Sequence, residues 1–129
     1  MDEERWHART GSLQFGPDRR LRRRSEFQRV FDAGLRVHGR FFTLVVAGND
    51  KGQSRLGVVA SRKLGDAVHR NRAKRLIREI FRKDENRPDL DVVVIPRREL
   101  FDVSYSILEA DFRNALSRAI SRVHRSAGS

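Results

Sequence analysis

Between Arg70 and Arg82 the chain reads Arg-Asn-Arg-Ala-Lys-Arg-Leu-Ile-Arg-Glu-Ile-Phe-Arg, and this stretch limits the fold more than any other. Wound at about 100° per residue with Asn71 at zero, Arg75, Arg78 and Arg82 fall within roughly 40° of it and Lys74 about 60° to one side. Ala73, Leu76, Ile77 and Ile80 take the opposite side, with Phe81 at its border. Such a helix must bury one face and present cations along the other. A charged face on a surface helix is ordinarily solvated and laced with i,i+4 acid–base pairs. Here Glu79 is the one acid between residues 70 and 83, and it lies on the flank. Repulsion along the face costs stability until an anion relieves it, so the stripe reads as a phosphate-binding surface.

The charge of the whole chain agrees. Its formal net charge is +11, yet residues 19–83 alone hold 19 basic against five acidic residues, while the segments on either side are slightly acidic. A charge kept only for solubility would be spread more evenly. Arginine outnumbers lysine 24 to 4. Guanidinium forks grip phosphate bidentately and stack on bases, although a GC-rich genome gives the same bias. The absence of cysteine excludes a disulfide framework and a zinc–thiolate site. Apolar runs such as Phe41 to Ala47 are far too short to span a membrane, and the acidic start Met1-Asp2-Glu3-Glu4 is no secretory signal, so a cytoplasmic protein is expected.

A chain of 129 residues suits one core. Residues 1–17 read as a flexible tail containing Trp6, Leu13 and Phe15, 18–125 as a single RNA-binding domain, and 126–129 as a disordered C-terminus. Five arginines crowd residues 19–24, which should stay extended until an anion is met. Ser25 with Gln28 fits a capping box opening a helix in which Phe27, Val30 and Phe31 share a face, and Gly34 is placed to end it in a left-handed conformation. Strands are expected at 36–39, 41–47 and 55–61, with apolar groups on both faces of the second. Gly65-Asp66 caps the cationic helix at 67–83. A strand at 92–95 is stopped by Pro96, and a last helix runs from Ser104 or Ser106 to about 124. The order α-β-β-β-α-β-α predicts an α/β (α+β) two-layer sandwich on a four-stranded sheet.

The stretch Ser61-Arg62-Lys63-Leu64-Gly65-Asp66-Ala67-Val68-His69-Arg70-Asn71-Arg72-Ala73-Lys74-Arg75-Leu76-Ile77-Arg78-Glu79 resembles the signature of the bacterial ribonuclease P protein component. Its centre is Arg-Asn-Arg at 70–72, with a basic pair and a Gly-x-Ala-Val turn before it and Lys-Arg-Leu-Ile-Arg after it. Ser25 to Phe31 is similar to the family's first helix, and the resemblance covers roughly four-fifths of the chain, residues 1–17 lying outside it.

The resemblance implies a left-handed β-α-β crossover, against the usual right-handed preference. It implies that Arg62, Lys63, Arg70, Asn71, Arg72, Lys74, Arg75, Arg78 and Arg82 meet the catalytic RNA. It implies too that a cleft between the first helix and the sheet receives the 5′ leader of precursor tRNA, at Phe27 and Phe31 with Phe42, Arg55 and Val58. Aromatics beside arginine give stacking platforms for single strands; periodicity alone favours core packing for Phe27 and Phe31, and the resemblance reverses that for at least one of them. Arg70 and Arg72 fall about 100° to either side of Asn71, so their role rests on the resemblance.

No catalytic constellation is visible. The four histidines are scattered, no metal-ligand spacing occurs, and Asp89 with Asp91 reads as a strand-entry loop. In the family the RNA performs the hydrolysis with Mg2+, so no metal is expected on the protein, nor an obligate protein partner; its partners would be ribonuclease P RNA and precursor tRNA. Composition alone leaves open a structural RNA-binding protein of ribosomal type, and a basic helix could also read a DNA groove.

Overall fold

The protein is described by a computed structural model covering residues 20–83 and 89–128, with side chains as far as Val123. Residues 1–17, read above as a tail, lie outside the described residues. Helix α1 (Arg24–Ala33) precedes strands β1 (Leu35–His38), β2 (Phe42–Gly48) and β3 (Arg55–Val58). A 3-10 turn, Arg62–Leu64, leads into helix α2 (Ala67–Lys83). Strand β4 (Leu90–Pro96), a second 3-10 segment (Arg98–Asp102) and helix α3 (Tyr105–Gly128) follow.

The sheet order is β1-β2-β4-β3. β2 pairs antiparallel with β1 and β4, while β3 and β4 run parallel and are joined through α2, because parallel neighbours need a crossover. Central β2 and β4 are buried almost end to end, which is why their sequences are apolar on both faces. On one face Phe42, Leu44, Val46, Val92 and Val94 pack against Ala73, Ile77, Ile80 and Phe81 of α2 and Leu108, Phe112, Ala115 and Leu116 of α3. This is the principal α/β sandwich. On the other face Val45, Ala47 and Val93 meet Val30 of α1 and Leu21. Leu21 N–H bonds to Leu56 O at 3.0 Å, so the chain at Arg20 and Leu21 runs parallel to β3 and covers its outer edge.

Three local expectations need correction. Glu26, not Ser25 with Gln28, closes the start of α1: its Oε1 accepts from the N–H groups of Arg22 (2.8 Å) and Arg23 (2.9 Å). Gly34 has an extended backbone (φ −83°), and glycine is needed there for closeness, since a Cβ would lie 2.4 Å from Val30 O and 2.9 Å from Val45 Cγ1. Helix α3 carries the chain through Gly128 because no breaker intervenes, so residues 126–128 are helical where a disordered end was expected.

Candidate nucleic-acid interface

Asp66 starts α2, accepting from His69 N–H at 3.1 Å. Ala73, Ile77, Ile80 and Phe81 are fully buried along its inner side. On the outer side Asn71 and Arg75 are exposed and Lys74, Arg78 and Arg82 half-buried, so the stripe faces outward as its periodicity requires. Glu79 reaches Arg82 only at 3.9 Å. Arg62 and Lys63, in the 3-10 turn before the helix, are exposed and continue the basic surface.

The two flanking arginines of the Arg-Asn-Arg motif turn to separate tasks. Arg70 Nη1 donates to Gly65 O at 2.9 Å, fastening the turn that launches α2. The Arg72 guanidinium lies over the Phe101 ring, 5.7 Å from its centroid, against the 3-10 segment at 98–102. Asn71 alone of the three points along the stripe.

On the opposite face of the sheet, α1 lies across the strands at the end where β4 begins. Phe27 rests on Gly57 of β3, where a Cβ would stand 2.6 Å from the ring, and Phe31 lies under Arg36 of β1 with the guanidinium 5.9 Å from its centroid. Both rings are only partly buried. Beside them Val59 and Ile95 stay partly open. Thr43 Oγ1 sits 3.2 Å from His38 Nδ1 and accepts from Arg97 at 3.2 Å. This is the ground between α1 and the sheet that the resemblance assigns to the leader cleft, with partly open apolar residues, two partly buried rings and the cations of Arg36 and Arg97.

Phe42, Val58 and Arg55 do not belong to this cleft. Phe42 is fully buried on the α3 side, edge-on to Phe112 at 5.7 Å, and Val58 packs into the same core. Their strand parity directs them away from α1: Phe42 and Leu44 share one face, Thr43 and Val45 the other. Arg55 is on the α1 side, but its guanidinium is occupied. It donates to Asp91 through Nε and Nη2, both at 2.8 Å, and to Glu26 Oε2 at 3.0 Å, tying α1 to β4.

Asp91 is wholly buried and collects four donors: Arg55 twice, Arg29 at 2.5 Å and Asn49 at 2.8 Å. Burial pushes its carboxyl up, and the hydrogen bonds from Arg55, Arg29 and Asn49 more than reverse this, holding it below the ordinary carboxylate value. The bonds from Arg23 and Arg22 N–H likewise hold Glu26 low, and the bond to Asp91 raises Arg55. These groups form a structural clamp. Among the described residues no three His, Asp or Glu side chains converge as a metal site would require, and no helix is long and apolar enough to cross a membrane.

Comparison with known proteins settles which scaffold this is. A model of the family Ribonuclease P matches residues 15–120. The chain belongs to the bacterial ribonuclease P protein family. It is 36% identical over 110 residues to the ribonuclease P protein component of Desulfatibacillum aliphaticivorans, spanning 84% of this chain and 93% of that protein. Among solved structures it resembles the ribonuclease P protein of Thermotoga maritima (TM-score 0.71, 36% identity, 77% of this chain and 96% of that one). It also resembles that of Staphylococcus aureus (TM-score 0.72, 32% identity, 78% and 94%).

For a ribonuclease P protein, the cleft residues the sequence does not single out are Arg36, Thr43, Val59, Ile95 and Arg97. With apolar groups on both faces of β2, nothing in its alternation says which face meets α1. The pairing register supplies that fact, since Thr43 stands opposite both His38 and Ile95.

Proposed function

We propose that the chain is the protein subunit of a ribonuclease P and carries no catalytic residue of its own. In this reading the α2 stripe, with Arg62 and Lys63, binds the catalytic RNA. The cleft at Phe27 and Phe31 holds the 5′ leader of precursor tRNA, promoting cleavage that matures the tRNA 5′ end in the cytoplasm. The observation that carries it is the pair of basic surfaces on opposite sides of one sheet: a cationic helix face suited to phosphates, and a ring-bearing cleft suited to a single strand. Mg2+ belongs to the RNA, which supplies the hydrolytic chemistry. The protein contributes position, holding the leader so that the scissile bond meets the RNA's metal site.

The test is reconstitution with a bacterial ribonuclease P RNA at low magnesium, using precursor tRNA with and without a leader. The protein should rescue cleavage and favour the leader-bearing substrate. Binding without rescue would leave a structural, ribosomal-type RNA-binding protein as the better reading. Preference for duplex DNA in competition would overturn both.

A further inference from the structure

Beside the first turn of α2 lies a cavity of about 520 Å³ that the RNA-binding stripe does not include. Leu64, Gly65, Asp66 and His69 form one wall, and Arg98, Glu99, Phe101 and Asp102 the other. Its size is that of a small-molecule site. His69 and Phe101 stand edge to face, 5.3 Å apart at 77°, so two flat surfaces meet at nearly a right angle. Arg72 covers the Phe101 ring, and Asp66 is bonded to His69 at 2.7 Å. Glu99 and Asp102 are exposed, and their side chains make no hydrogen bond or ion pair with the described residues.

Carboxylates at the margin of a phosphate-binding surface are electrostatically misplaced, because they repel the polyanion that the neighbouring arginines attract. They suit an RNA where a donor group arrives, and the exocyclic amino group of a base is one from which a carboxylate accepts. Stacking surfaces beside them serve the base's flat face. We infer that this cavity is a subsite for one unpaired, amino-bearing nucleobase of the RNA partner, packed into the corner between His69 and Phe101 with its edge toward Glu99 and Asp102. This rests on the proposed function in taking the partner to be an RNA. It adds a recognition element that reads a base rather than the backbone.

The sign of one substitution separates this from simple electrostatics. Replacing Glu99 and Asp102 together by Ala removes two negative charges, so electrostatics predicts tighter binding to RNA. The subsite predicts weaker binding by several-fold, measured by filter binding of the full-length protein to ribonuclease P RNA. Phe101→Ala should weaken binding about fivefold to a hundredfold without changing the slope of log affinity against log salt, because ring–base contact releases no counterions. Phe101→Trp, which keeps a stacking surface and packs in the same place, should restore most of it. Interference mapping with RNA carrying purine riboside, which lacks the amino group, should show a sensitive position with the wild-type protein that disappears with Phe101→Ala. Tighter binding by the double Ala variant, or an interference pattern indifferent to Phe101, overturns the subsite. If the wild-type protein does not bind the RNA at all, it is the proposed function that fails. Retained RNA binding by every variant would instead leave the cavity to a basic side chain of a protein partner.

Discussion

Arg55 and Asp91 face each other across the parallel β3–β4 pair, and the guanidinium takes both carboxylate oxygens at 2.8 Å. Because Arg55 also holds Glu26, the bidentate pair fixes the position of α1 over the sheet. Breaking a buried pair by removing one partner costs about 3–5 kcal/mol, since the other charge is left uncompensated. Asp91→Asn should therefore lower Tm by more than about 10 °C. The carboxyl is held below its ordinary value, so its contribution is full above the unfolded pKa of about 4 and is lost as pH falls through the lower folded value. Wild-type stability should fall steeply with acid below about pH 4, and the Asp91→Asn profile should be flatter there. Parallel profiles from calorimetric melts would show that the carboxylate is not the group that titrates.

Phe27 and Gly57 are similarly coupled, by closeness rather than charge. A Cβ on Gly57 would stand 2.6 Å from the Phe27 ring and 3.1 Å from Leu21 Cβ. Gly57→Ala should destabilise by about 1–3 kcal/mol, the usual cost of overpacking. The same substitution in a Phe27→Ala background should cost much less, because the ring is gone. A denaturant-melt double-mutant cycle measures the difference, and simple additivity would mean that the ring swings clear unaided.

These couplings mark the boundary of what the sequence discloses. Helix α2 is legible to its ends because a cap, a 3.6-residue period and the charge contrast all agree at 67–83. The outward turn of Asn71 and Arg75 follows from the same period. Cleft membership does not follow, because it depends on which face of β2 meets α1, and both faces are apolar; Phe42 and Val58 illustrate the resulting misplacement. The resemblance assigns Arg55 to the leader cleft, and nothing in the sequence opposes this because its partners, Glu26 and Asp91, are distant along the chain. The tasks of Arg70 and Arg72 are equally hidden, since Gly65 and Phe101 are met only in three dimensions.

The stripe on α2 makes a quantitative demand. Each phosphate contact contributes about 0.7–0.9 to the slope of log affinity against log salt. Arg75→Ala with Arg78→Ala should flatten that slope by roughly one to two units in binding to ribonuclease P RNA. Both side chains leave the inner side of the helix undisturbed, so far-UV circular dichroism should not change. An unaltered slope would move the phosphate contacts to another surface.

Substrate discrimination should reside on the other face of the sheet. Phe31 is partly exposed under Arg36, so Phe31→Ala removes a stacking surface and frees the guanidinium that lies over it. At about 1–3 kcal/mol per stacked base, affinity for leader-bearing precursor tRNA should drop about fivefold to a hundredfold, with the leaderless substrate little affected. Phe42→Ala provides the control. That ring is fully buried against Phe112, so its loss should cost about 3–5 kcal/mol of stability. At a temperature where the variant remains folded, the leader preference should survive. Equal loss of preference in both variants would tie discrimination to overall stability rather than to the cleft, and loss with Phe42→Ala alone would place the leader on the wrong side of the sheet.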